Sequence, residues 1–123
     1  MGLAMAHYQS LGPSYVSVYI TAPDKEAARV IARTLIEENL AACVNFFPIV
    51  SMYRWEGQIE ESIEMALIAK TRADVVPKLM DRVKSIHPHK VPCAVVLPQS
   101  GGMREYYHWI DANVSTNPKT HYP

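Results

Sequence analysis

The chain predicts an α+β fold in the order β-α-β-β-α-β, followed by an extra C-terminal helix. Three observations predict it. Runs rich in β-branched and aromatic residues recur at 15–20, 42–54, 58–71 and 93–97, residue types that suit a pleated, half-buried surface. Two stretches, 24–38 and 74–86, carry apolar residues at three- and four-residue spacing, the period of an amphipathic helix. Glu56-Gly57 stands between the second and third β runs and makes them a hairpin.

Each element follows from its residues. In 15–20, Val16, Val18 and Ile20 face one way and Tyr15, Ser17 and Tyr19 the other, which is the period of a strand. Pro23 stops that strand, and Asp24 can cap a helix whose first turn carries Glu26, a carboxylate at the positive dipole end. Ala28, Ile31 and Leu35, with Ala27, Ala32 and Ile36, form the apolar face of this helix. Pro48 interrupts the run at 42–54; it has no backbone donor, so this strand bends or lies at an edge there. Gly57 supplies the positive φ of a tight turn. In the partner strand, Ile59, Ile63, Met65, Leu67 and Ala69 share one face; Glu60, Ser62, Glu64, Ala66, Ile68 and Lys70 share the other. The second helix accepts Pro77 in its first turn and ends before His87-Pro88, because a residue preceding proline avoids the helical region. The run 93–97 is wholly apolar, the pattern of a strand buried on both faces. Ser100-Gly101-Gly102 reads as a loop and 103–113 as a helix carrying Tyr106, Tyr107, Trp109 and Ile110. Residues 1–14 are expected to be a flexible arm, 15–113 a single domain and 114–123 a loose tail. The whole is a ferredoxin-like sandwich with a long central hairpin, its two main helices on one face of a four-stranded antiparallel sheet.

Composition narrows the function. The 123 residues are 49% apolar and 20% charged, ordinary for one globular domain. Twelve basic residues balance twelve acidic ones, so binding nucleic acid by phosphate neutralisation is not expected. No apolar run approaches the roughly 20 residues needed to span a bilayer. Residues 1–13 show no basic and apolar signal segment, which points to the cytoplasm. Cys43 and Cys93 are then read as free thiols, with a disulfide the minor alternative in a reducing compartment.

The hairpin is too long for one domain. Strands of about 13 residues extend some 40 Å, whereas a chain of this size has a radius of gyration near 14 Å. Its tip, bearing Tyr53, Trp55 and Ile59, is expected to be buried against another subunit, since tyrosine and tryptophan dominate buried hot spots. The sheet face without helices is also apolar, a second reason to expect an oligomer.

Several ordered blocks carry a family resemblance. Ala41-Ala42-Cys43-Val44-Asn45, Tyr53-Arg54-Trp55-Glu56-Gly57-Gln58-Ile59-Glu60, Ile68-Ala69-Lys70-Thr71 and His87-Pro88 resemble the CutA family of divalent-cation tolerance proteins, over about residues 15–113. The resemblance implies a ferredoxin-like protomer, a homotrimer built through the long hairpin, a link to copper or other divalent cations, and likeness to PII-type signalling trimers. The chain departs from the family's usual Tyr-Glu after the His-Pro block, having His89-Lys90 instead. A cation therefore stands where a carboxylate could have ligated a metal.

Besides the hairpin tip, two groups of residues are candidate sites. Cys43, His87 and His89 are the soft-metal candidates, because copper favours thiolate and imidazole donors. Residues two apart in an extended segment point the same way, so both rings could reach one ion. The alternative is that Cys43 packs in a strand and His87 ends a helix bonded to backbone. Glu60, Glu64 and Lys70 share a strand face and are candidates for an intersubunit pocket or an intersubunit salt-bridge network. No GxSxG elbow, HExxH helix or phosphate-binding glycine loop is present, so an enzyme is not expected. The expected function is a copper or divalent-cation tolerance trimer. The alternative is a PII-like trimer that senses ligands or scaffolds partner proteins, with metal binding incidental.

Overall fold

The structure, a computed structural model, describes residues 8–10 and 14–115. Eight residues, Tyr15–Ala22, form strand β2, and Tyr8–Ser10 form a short strand β1 before it. Helix α1 spans Lys25–Glu37, where the Asp24 side chain accepts a hydrogen bond from the Ala27 backbone N–H at 2.8 Å. The expected cap is thus in place. Ala28, Ile31, Ala32 and Leu35 are its buried face. Asn39, with φ of 58°, turns the chain out of the helix in the left-handed region that asparagine tolerates better than most residues.

Strands β3 (Cys43–Trp55) and β4 (Gln58–Arg72) pair antiparallel from Cys43↔Lys70 to Trp55↔Gln58. The turn needs two left-handed residues, Glu56 at φ 50° and Gly57 at φ 80°, as a type I′ hairpin requires. A short 3₁₀ turn, Ala73–Val75, leads into α2, Val76–Ile86. Strand β5 (Ala94–Pro98), strand β6 (Gly101–Met103) and helix α3 (Arg104–Asn113) complete the chain.

The main sheet runs β3-β4-β2-β5 with every neighbouring pair antiparallel. This is the ferredoxin-like arrangement. Pro48 lies on β3, an edge strand, where a missing donor costs no ladder bond on the outer side. Val18, Ile20, Leu67 and Ala69 meet Ile31, Leu35, Leu79 and Val83 in one core between sheet and helices. A second, smaller core gathers Tyr15, Val75, Tyr107, Ile110 and Val114. Arg82 clamps α2 to the end of α1 through paired contacts to Glu38 at 2.8 to 3.0 Å.

Four expectations need correction. β5 is not buried on both faces: Val95 and Leu97 are exposed, because β5 is the other sheet edge and the helices cover one face only. Gly101 and Gly102, expected in a loop, and Met103, expected to open the last helix, instead form strand β6, pairing with Tyr8–Ser10 in a separate two-stranded sheet. That pairing also removes 8–10 from the flexible arm; residues 1–7 and 11–13 lie outside the described residues. The expected tail begins too early, because Val114 is buried and the Ser115 N–H bonds the Asn39 carbonyl at 3.0 Å. The remainder of that tail, 116–123, lies outside the described residues.

Candidate functional site

Antiparallel register decides which candidate side chains share a face. Val44 and Phe46 pack toward the main core, so Cys43 points to the sheet face opposite α1 and α2. Cys43 is in register with Lys70, which is in register with Ser17. The half-buried Cys43 thiol therefore sits beside a lysine whose ammonium lies 5.8 Å from the ring centre of Tyr106.

His87 lies elsewhere. Its backbone N–H closes α2 on the Val83 carbonyl at 2.8 Å, and the ring is buried. Ring Nε2 is 2.7 Å from the Thr21 carbonyl oxygen, which can only accept, so Nε2 carries the proton. Nδ1 then accepts the His89 backbone N–H at 3.0 Å. Both nitrogens are occupied. Thr21 is four residues along β2 from Ser17, and β2 is two strands from β3, so the register separates Cys43 from the His87 anchor by about 16 Å.

The structure brings His87 and His89 together, with ring centres 5.1 Å apart, and leaves Cys43 apart from both. The thiol whose backbone shares an anchor with His87 is instead Cys93, because its carbonyl accepts the Thr21 N–H at 3.2 Å. Among the described residues no group of three or more His, Cys, Asp or Glu is placed to hold a metal ion. The described residues of one chain do not fit a metal centre.

Glu60, Glu64 and Lys70 do share the face opposite the helices, but along one strand they stand about 13 and 20 Å apart. Within one chain they form no pocket. Tyr53, Trp55 and Ile59 lie at the outer end of the hairpin and are exposed; the Tyr53 hydroxyl meets the Ser62 hydroxyl across the strands at 3.2 Å. Exposure continues down the hairpin through Val50, Met52 and Ile63. Val50 and Ile63 are direct cross-strand partners, 68% and 74% exposed. This stripe extends the core-facing side of the sheet beyond the reach of the helices.

A charge network missed from the sequence fastens α3 to the sheet. The Tyr15 hydroxyl donates to Asp111 Oδ2 at 2.6 Å. Arg72 reaches Asp111 at 3.6 Å and holds Asp74 through two contacts of 2.8 and 2.9 Å. Burial, then the hydrogen bond and charge of Asp111, push the Tyr15 phenol up to about 12. The Arg72 hydrogen bond pulls the Asp74 carboxyl down. No spacing rule joins residues 15, 72 and 111; the β2–β4 register pairs Tyr15 with Arg72, and the docking of α3 adds Asp111. Gly102 permits that docking, since a Cβ there would lie 2.7 Å from the Tyr107 ring.

The family model described as CutA1 divalent ion tolerance protein matches residues 16–113. The chain belongs to the CutA1 family. It is 50% identical over 97 residues to the divalent-cation tolerance protein CutA of Thermus thermophilus, covering 78% of this chain and 94% of that protein. Protein CutA of Homo sapiens is 41% identical over 98 residues, 79% of this chain and 55% of that protein. Among solved structures, CutA from Archaeoglobus fulgidus superposes with a TM-score of 0.80 at 44% identity, covering 82% of this chain and 99% of that one. CutA from Synechococcus elongatus reaches 0.86 at 27% identity, over 90% and 98% of the two chains. As a CutA1 member, the chain keeps its hairpin and helix pair inside the matched region, whereas Tyr8–Ser10 lie outside it.

Proposed function

We propose that this CutA1 family member works as a homotrimer, PII-like in architecture, that serves divalent-cation tolerance by binding ligands or partner proteins on the assembled oligomer. The observation that carries this reading is the uncovered apolar hairpin. Val50, Met52, Ile59 and Ile63 share one face of the hairpin and are each more than half exposed in the single chain, a contiguous patch of the kind that marks an association surface. Glu60, Glu64 and Lys70 then line the space between copies. The role is binding rather than catalysis, and the place is the cytoplasm, a reading supported by two unpaired cysteines.

Copper enters as a second reading, favoured by Cys43. Its thiol is free and half-buried on the sheet face without main helices, where a soft cation would be held between copies rather than within one. Sedimentation equilibrium of the full chain tests the first reading, and three times the chain mass is expected at micromolar concentration. Copper titration of wild type, Cys43→Ser and His87→Ala separates the two. Tight binding lost in Cys43→Ser supports copper as a direct ligand; weak binding insensitive to both supports the scaffold.

A further inference from the structure

The helix side of the sheet carries a feature that the hairpin reading does not use. Between α1 and the edge strand β3 lies a groove of about 400 Å³, lined by Arg29, Ala32, Arg33, Ile36, Val44 and Phe46, with Glu37 at one end. Its floor is apolar, since Ala32, Ile36, Val44 and Phe46 supply hydrocarbon or ring surface. Its rim carries two guanidinium groups against the single Glu37 carboxylate, a net positive charge. Arg29 and Arg33 are one helical turn apart on α1, a spacing at which like charges oppose each other. Arg33 has one ion-pair partner, Glu37 at 3.4 Å, with both side chains largely exposed, so that charge is weakly held. Arg29 has no ion-pair partner among the described residues.

We propose that this groove binds a small organic anion consisting of a carboxylate on an apolar body, such as an arylalkyl or short acyl chain. The apolar body lies on Phe46, Val44, Ile36 and Ala32. The carboxylate sits between the two guanidinium groups, whose planar donor sets match carboxylate geometry. It relieves their repulsion. The volume falls within the roughly 300–1,000 Å³ typical of small-molecule sites. An extended peptide fits less well, because Pro48 interrupts the row of N–H donors along β3 that a strand-like ligand would need.

The test is a titration of the full chain, in the oligomeric state it adopts, with 4-phenylbutyrate, followed by ¹H–¹⁵N NMR. The neutral alcohol of the same shape, 4-phenylbutan-1-ol, is the control. Saturable shifts are expected at the amides of residues 29–36 and 44–46. The Arg29→Gln/Arg33→Gln double variant should weaken binding about tenfold, a modest figure for loss of charged hydrogen bonds. Both positions are on the exposed helix surface and glutamine is a good helix former, so the variant folds. Ile36→Glu, which sets a carboxylate into the groove, should abolish binding. The alcohol should bind about tenfold more weakly than the acid. Equal binding of alcohol and acid, full binding by the double variant, shifts that never saturate, or shifts centred on Val50 and Ile63 would each overturn the proposal.

Discussion

Ile63→Ala tests the hairpin reading most directly. Ile63 is 74% exposed in the single chain and faces Val50 across the ladder. Fully burying an isoleucine side chain is worth about 1.5–3 kcal/mol, so covering the exposed part in an oligomer yields roughly 1–2 kcal/mol per copy. A trimer repeats the contact three times. Truncation should therefore cost about 3–6 kcal/mol in the assembly, or two to four powers of ten in the association constant. The folded protomer should hardly notice, because exposed substitutions usually change stability by no more than about 0.5 kcal/mol. Sedimentation equilibrium across a concentration series measures association, and the concentration dependence of the melting temperature reports the same linkage independently. An Ile63→Ala protein that associates as tightly as wild type would refute the reasoning, as would a wild type that stays monomeric.

Other outcomes follow from the same contacts. His87→Ala removes a ring bonded to Thr21 and leaves that carbonyl and the His89 N–H without their partner; urea unfolding should show a loss of about 1–3 kcal/mol. Tyr15→Phe should cost about 1–2 kcal/mol near neutral pH by removing the bond to Asp111. Because the folded phenol titrates near 12 against an ordinary 10.0, the wild type holds this contribution below pH 10 and loses it as pH rises through 12; the phenylalanine variant should lack that alkaline slope. Asp74 is the opposite case. Its carboxyl is lowered from 3.8 by Arg72, so its contribution is present above pH 3.8 and fades as pH falls through the lower folded value, and Asp74→Asn should flatten acid unfolding there. Gly57→Ala meets no steric contact but must hold φ at 80°, so chemical denaturation should register a loss of roughly 1 kcal/mol or more.

What the sequence by itself determined was local. Asp24 as a cap, the apolar face of 24–38, Pro77 in a first turn, the stop before Pro88 and the turn at Glu56-Gly57 all rest on residues within about four positions of one another, where spacing alone carries the physics. The ordered blocks from Ala41 to Pro88 pointed to the family for the same reason. Tertiary structure decided what spacing cannot express. Cys43 and His87 carry the right donor chemistry, yet Cys43 opens edge strand β3 while His87 closes α2 against the Thr21 carbonyl of β2, two strands away. His87 became a buried cap because Thr21 offers its carbonyl at the point where α2 ends. β5 looked doubly buried because Val95 and Leu97 are apolar; its position at a sheet edge left them exposed. Gly101-Gly102 reads as a loop because glycine weakens strands, and pairing with Tyr8–Ser10, about ninety residues away in sequence, makes it, with Met103, a strand. The groove of Arg29 and Arg33 exists only because α1 crosses above Val44 and Phe46. Local preference fixes most of the helices and long strands, whereas the choice of partner strand, edge and face, and the short β1–β6 pair itself, depend on which long-range arrangement buries the most apolar surface.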